Sequence, residues 1–343
     1  MSARPAPRGN FKGEGECLAG GAVPGPGVTC VDLHPAADFV AGMGVCMHLE
    51  KNTGAWADTA RLKTELGQLG IRHLREAYFT DSVWTALRTF DSLGIRVDVL
   101  AAPGMPISQL VAAAVDPERG GPWAESLEPP TETGAVAASG NPTLPIFQGS
   151  FRNPDKASLV GDLSALFDYG NLNSFPDGTL PDWQLDGWYR PEIHKVSGTR
   201  PLVVSGTGYQ NALHAEPSDP PMWQSPYARR PVSEAAAARY ITRLWVEYLE
   251  RGVVRVFLYN LIDVEDTPDV AGKNFGLLRN DFTEKPAFLA TRNLITPLRE
   301  PDGQRALAGT LDVRFEGAIS DLRTSRAAMQ RSGSSAPWKG ERR

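Results

Sequence analysis

A four-residue string, Leu-Gly-Ile-Arg, occurs twice in this chain, at Leu69–Arg72 and at Leu93–Arg96. Each copy joins an amphipathic segment to a β-branched run. In the first, Asp58 stands at a helix N-cap position, and Leu62, Leu66 and Leu69 fall on one face. Gly70 then ends the helix and Ile71–Glu76 continues as a strand. In the second, Asp81 opens a helix with Val83, Leu87, Phe90 and Leu93 inward. Gly94 closes it and Ile95–Leu100 follows. A looser third copy has a long helix over Ser233–Glu250, then Arg251-Gly252, then the strand Val253–Tyr259. A glycine that ends a helix and feeds a β-branched run is the loop chemistry of alternating βα folds. The repetition predicts a parallel sheet. By itself it does not separate a closed barrel from an open doubly wound sheet. No Gly-x-Gly-x-x-Gly turn follows the first strand, which argues against a dinucleotide site.

The remaining elements fill in around these units. Phe39–His48 suits strand one. Trp123–Leu127 and Leu144–Phe147 suit strands four and five, with room for at most two helical turns, Glu132–Ser139, between them. Tyr169–Phe175 reads as strand six, Leu202–Val204 as strand seven and Val254–Ile262 as strand eight. A last helix runs from Pro286, tolerated at a first helical position, to Leu298. Leu311, Val313 and Phe315 alternate with polar residues and predict one more strand. Three regions are expected: an irregular arm over 1–37, the βα unit over 38–300, and a remnant β-segment with a disordered tail over 301–343.

Composition mostly excludes. A net charge of −5 favours neither nucleic acid nor an anionic membrane. Gly and Pro make up about 18% of the chain, below the range of low-complexity sequence, so long loops are expected instead. Cys17, Cys30 and Cys46 leave at least one thiol unpaired, with a Cys17–Cys30 disulfide possible. Met1–Gly21 holds no apolar core of a secretory signal, and no run is long enough to span a membrane. The five histidines have no ligand spacing and there is no Cys-x-x-Cys, so no metal is assigned. Ser150 and Ser205 lack a Gly-x-Ser-x-Gly elbow. No cofactor is expected.

Five stretches carry chemistry. Leu74-Arg75-Glu76 ends strand two; Glu125-Ser126-Leu127-Glu128-Pro129 ends strand four; Asp168–Phe175 contains Asn171 and Asn173. Leu202-Val203-Val204-Ser205-Gly206-Thr207-Gly208-Tyr209 forms strand seven and its turn; Tyr259-Asn260-Leu261-Ile262-Asp263 ends strand eight. In this order they resemble the strand-end motifs of cellulase-like retaining glycoside hydrolases, and the resemblance covers roughly residues 39–300. It implies a (β/α)₈ TIM barrel, irregular around strand four, with a truncated C-terminal β-segment. Active sites of such barrels sit at the C-terminal ends of the strands. The resemblance also implies a cleft for a β-linked glycan or glycoside, and family members are usually secreted. Glu128 matches the general acid/base. Gly206 stands where the family has its nucleophilic Glu, and Leu127, Asn173, Phe175 and Asn260 are further departures.

A retaining glycosidase needs two carboxylates about 5–5.5 Å apart, so the implied activity is weak or absent. The residues implied to line the cleft are Arg75, Asn171, Asn173, Tyr209, Tyr259, Asn260 and Trp183. Two alternatives remain open. An inverting hydrolase could use Glu128 with Glu132, Asp263 or Glu265, or the chain could be a non-catalytic carbohydrate-binding or relic protein. Plainer readings also stand beside these assignments: Glu128 as a loop carboxylate, Arg75 and Glu76 as a rim ion pair, Asn171 as a turn residue, and Trp183, Trp188 and Tyr189 as loop packing.

Overall fold

The computed structural model describes residues 28–33, 36–77, 80–100, 124–128, 144–151, 154–213, 230–267, 270, 272–299 and 309–314. Glu132, the expected helix over Glu132–Ser139, Cys17 and the tail beyond 314 lie outside these residues.

The elements begin with strand β1 (Val28–Leu33), helix α1 (Ala36–Ala41), strand β2 (Met43–Cys46), helix α2 (Thr59–Leu69), strand β3 (His73–Ala77), helix α3 (Asp81–Thr89) and strand β4 (Arg96–Leu100). Then come β5 (Ala124–Glu128), β6 (Gly170–Asn173), α4 (Arg190–Ser197), β7 (Leu202–Thr207), α5 (Glu234–Glu250), β8 (Val253–Leu258), α6 (Pro286–Ile295) and β9 (Gly309–Arg314). Both Leu-Gly-Ile-Arg joints form as expected. Asp58 caps α2 by accepting from the Arg61 N–H, and Gly70 ends it at φ 90°. Gly94, at φ 65°, ends the turn after α3. Such left-handed positions cost glycine nothing. Ser233 caps α5 through the Ala236 N–H.

Seven strands make one sheet in the order β5-β4-β3-β2-β8-β7-β6, and every pairing in it is parallel. Bridges Phe147–Tyr169 and Phe151–Leu172 lay residues 147–151 beside β6, where a fifth barrel strand belongs. The sheet curls, because its two edges meet: the Ser150 N–H donates to the Glu128 carboxylate of β5 at 3.2 Å. Among the described residues no backbone ladder joins β5 to the 147–151 segment, so the expected eight-stranded closed cylinder is present as a curled half-barrel. Apart from it, β1 pairs antiparallel with β9, Val28 opposite Arg314. The expected strand near Leu311 thus exists, and the 1–37 segment contains a strand of its own.

Among the boundaries that differ from the sequence expectation are those of the first and last strands of the unit. Phe39 and Val40 belong to helix α1, and only Met43–Cys46 is strand. An unbroken apolar run has no period by which helix and strand can be told apart. Helix α3 opens at Asp81 as expected, capped by Thr80, whose hydroxyl accepts from Val83 N. Strand β8 stops at Leu258, where the chain turns through a cis Tyr259–Asn260 peptide.

The two faces of the sheet bury different things. Outward side chains Val45, Leu74, Val97, Leu172, Val204 and Val256 share one apolar core with Leu62 and Leu66 of α2, Leu87 of α3, Trp245 of α5 and Phe288 of α6. Inward, only Cys46, Phe147, Val203 and Phe257 form a small separate cluster. Burial of each outer Leu or Val is worth ~1.5–3 kcal/mol, so the outer layer holds the fold and the inner face is left to polar groups. The floor of the inner face closes at Gly44, where a Cβ would stand 2.5 Å from the Phe257 ring. Gly44→Ala is expected to lower stability by ~1–3 kcal/mol through overpacking, and adding Phe257→Leu should recover most of it. Urea melts of the single and double variants test this. A neutral Gly44→Ala would mean the ring does not fill that floor.

Candidate functional site

The sequence places its chemistry-bearing residues at strand ends, and the inner face gathers them there. Arg75 of β3 aligns with Cys46 of β2 and Asp98 of β4. Its Nε donates to Glu128 Oε2 at 2.8 Å and lies 3.6 Å from Asp98 Oδ2. Ser126 donates its hydroxyl to the other oxygen of Asp98 at 2.7 Å. Both carboxylates are almost wholly removed from solvent. Burial pulls the Arg75 guanidinium down, but Glu128 and the neighbouring Cys46 and Asp98 outweigh it and the net shift is upward. Burial pushes the Cys46 thiol up to about 12, only partly offset by Arg75. The thiol donates to the Ser205 carbonyl at 3.3 Å.

The strand-seven position is occupied in an unexpected way. A bulge in β7 sets Asn173 opposite Gly206. A Cβ on Gly206 would stand 2.8 Å from Asn173 Oδ1, so the Asn173 amide fills the room a side chain there would need. Asn173 accepts from the Ser205 hydroxyl at 3.1 Å and donates to the Ser150 hydroxyl at 3.4 Å. A polar chain therefore runs from Gly206 through Asn173, Ser150 and Glu128 to Arg75 and Asp98.

Asn171 is fully buried, its amide spent on the Gln148 carbonyl (2.9 Å) and the Ser205 N–H (3.2 Å). Tyr209 is 2% exposed, donates to the Thr179 carbonyl at 2.9 Å and packs on Tyr240. Trp183 is half-buried in the loop after β6. Asn260 is fully buried, and neither side-chain amide atom has a hydrogen-bond partner among the described residues. Asp263 pairs with Lys285 at 2.8 Å and accepts from Gly276 N. Glu265 is held by Lys273 at 2.7 Å and Lys51 at 3.5 Å. Neither shares a partner with Glu128.

Tyr259, half-buried at the end of β8, brings in residues that the sequence reading did not select. Its hydroxyl is 3.1 Å from His48 Nε2, and His48 Nδ1 is 3.0 Å from Glu50 Oε1. Behind Glu50 lies Glu76, 1% exposed, whose two oxygens accept from Leu49 N and Ala77 N at 2.7 Å each. Burial, then the charge of Glu50, raises Glu76 well above the usual carboxylate range. Burial would raise Glu50 too, but the hydrogen bond with His48 holds it lower. The pair is thus one acid and one carboxylate, as like charges in close contact require. A sequence signal existed for Asp98: an acid between Val97 and Val99 in a buried strand demands a partner. None existed for the pairing of His48 with Tyr259, which lie 211 residues apart.

The sequence matches no protein-family model, and no curated protein matches it. Solved structures do resemble the fold. A family 39 glycoside hydrolase from Bacteroides cellulosilyticus WH2 matches at TM-score 0.53 and 16% identity, over 75% of this chain and 64% of that one. A GH2 beta-galacturonidase from Eisenbergiella tayi matches at 0.54 and 15%, over 77% and 52%. A Bacteroides uniformis beta-glucuronidase matches at 0.50 and 14%, over 73% and 34%. The chain spans less than two thirds of each. At such identities the likeness is one of fold, and the fold is glycoside-hydrolase-like.

The ion-pair cluster has a measurable signature. Arg75→Met leaves Asp98 and Glu128 without their cation, and is expected to cost ~3–5 kcal/mol at pH 8. Arg75 is raised in the folded state, so its contribution is complete below its unfolded value and constant from pH 5 to 8. In the variant the two acids bind protons more readily folded than unfolded, so its stability rises as pH falls and the deficit narrows toward pH 5. Urea melts at both pH values check this. An equal deficit at both would show that the carboxylates are balanced by something else.

Proposed function

We propose that this chain is a divergent relative of the cellulase-like retaining glycoside hydrolases. In this reading residues 38–300 are a (β/α)₈ barrel, completed by the 144–151 segment, with an arm over 1–37 and a remnant β-segment and tail over 301–343. Its C-terminal mouth binds a β-linked glycan or glycoside, with Arg75, Asn173 and Tyr259 at the sugar and Asn171 and Tyr209 holding the walls. Trp183 and Asn260 complete the lining. The carboxylate route to hydrolysis is weak or lost.

The observation that carries this reading is the fit of Asn173 against Gly206. A retaining mechanism needs a second carboxylate about 5–5.5 Å from the first; the residue matched to that role is Gly206, with the Asn173 amide packed against it. Glu128 remains the acid/base candidate by position. Its oxygens already accept from Arg75 and Ser150, which suits the base half of that role better than the acid half. The likeness to glycoside hydrolases in fold and the aromatic mouth around Tyr259 support a carbohydrate as ligand.

The test is a panel of aryl β-glycosides assayed with and without azide, beside designed variants. Wild-type protein should bind members of the panel, measured by calorimetry, and turn them over slowly. In Asn173→Ala, which reopens the room beside Gly206, azide should accelerate the reaction and give a glycosyl azide. Gly206→Glu alone should gain little, because its Cβ meets Asn173. Gly206→Glu with Asn173→Ala should gain more, recovering part of the several powers of ten a missing nucleophile costs. Rapid wild-type hydrolysis indifferent to azide, or no binding to any glycoside, would sink the proposal.

A further inference from the structure

We infer that Tyr259, His48 and Glu50 form a second nucleophilic centre at the barrel mouth, with His48 as base and Tyr259 as the group that attacks a bound glycoside at its anomeric carbon. The inference rests on the reading that this mouth binds glycosides. It supplies a reaction route that does not pass through Gly206.

The geometry is that of a hydrogen-bonded triad in one file: Tyr259 hydroxyl to His48 Nε2 at 3.1 Å, and His48 Nδ1 to Glu50 Oε1 at 3.0 Å. A carboxylate only accepts, so Glu50 fixes the imidazole proton on Nδ1. Nε2 is left with its lone pair, directed at the phenolic O–H. This is the logic by which an oriented base activates a hydroxyl nucleophile. The backbone beside Glu50 is itself anchored, since Glu76 holds the N–H of Leu49 and of Ala77. The imidazole stands edge-on between Trp56 at 5.5 Å and Tyr259 at 5.4 Å. Phe175 and Phe275 brace the Tyr259 ring at 6.3 and 5.7 Å. Tyr259 is also next to the vacated position: its N–H donates to the Thr207 carbonyl, one residue beyond Gly206, at 2.7 Å. Tyr259 and His48 retain partial exposure, as groups meeting a ligand must.

The step balances. The Tyr259 oxygen forms a bond to the anomeric carbon, the bond from that carbon to the leaving oxygen breaks, and the phenolic proton passes to His48 Nε2. An aryl leaving group departs as its phenolate and needs no acid. Water then attacks the same carbon, its proton passes to solvent, and the tyrosyl oxygen departs and recovers its proton from His48. Glu50 touches no reacting atom and is a positioning residue.

The experiment uses the full chain and 2,4-dinitrophenyl 2-deoxy-2-fluoro-β-glycosides of the gluco, galacto, xylo and glucurono series, with intact mass and peptide mapping as readout. The expected result is one fluoroglycosyl group on the peptide that carries Tyr259. Tyr259→Phe keeps the ring and the fold, checked by its melting temperature, and should abolish labelling. His48→Gln should slow labelling by about 10²–10⁴-fold. Glu50→Gln should lower kcat on the unfluorinated aryl glycoside with KM little changed, a split that a merely structural role would not give. Labelling at any other residue, or undiminished labelling of Tyr259→Phe, overturns the inference. Calorimetric binding of the probes without any labelling overturns it too, while leaving the glycoside-binding mouth standing. Neither binding nor labelling brings both readings down together.

Discussion

The Arg75 guanidinium is the one cation on which the inner face of this sheet depends. It faces two buried carboxylates, Asp98 and Glu128, on the next two strands. A buried ion pair is a poor source of stability, because desolvation offsets most of the attraction. Its value here is positional. Arg75 holds Glu128, and Glu128 in turn holds the Ser150 N–H. That hydrogen bond links the two edges of the curled sheet.

The division of labour between the two faces explains why so polar an interior is tolerated. The outer face is packed by aliphatic residues from strands and helices into one continuous core. The inner face has, among the described residues, a buried apolar cluster of four, with Tyr169, Val254 and Tyr259 packed against it. Stability and chemistry are therefore carried by different residues of the same strands: Val204 faces the helices, whereas Val203 and Gly206 face the mouth. A change on the inner face can alter chemistry while the outer packing stays intact.

This division also decides what could be read in advance. The helix caps Asp58 and Ser233 and the closing glycines Gly70 and Gly94 were legible, because each is set by local backbone chemistry. The sense of the sheet was legible from their repetition. The approach of the two sheet edges was not, since it includes a long-range contact between Glu128 and Ser150. The end of α1 and start of β2 were hidden inside an apolar run without period. Asn171 lies on β6, and its amide is consumed by backbone partners. Asn173 and Gly206 read as two unrelated departures from a motif, and in the fold they are one replacement, an amide against a hydrogen. The link from Tyr259 through His48 to Glu50 joins distant parts of the chain and leaves no trace in spacing.

Charge explains why an amide suits that replacement. Around Arg75 one positive charge already faces two negative ones, and Cys46, with its thiol pushed to about 12, stays neutral at any ordinary pH. A third carboxylate on Gly206 would add a like charge to a dry site where unpaired charge is expensive. Asn173 instead brings a donor for Ser150 and an acceptor for Ser205 with no charge at all. Serine and asparagine therefore satisfy each other across β6 and β7 while Arg75 is left to Asp98 and Glu128. Chemistry that survives at this mouth must draw on groups outside that closed circle. Tyr259, turned toward His48, is placed to supply it.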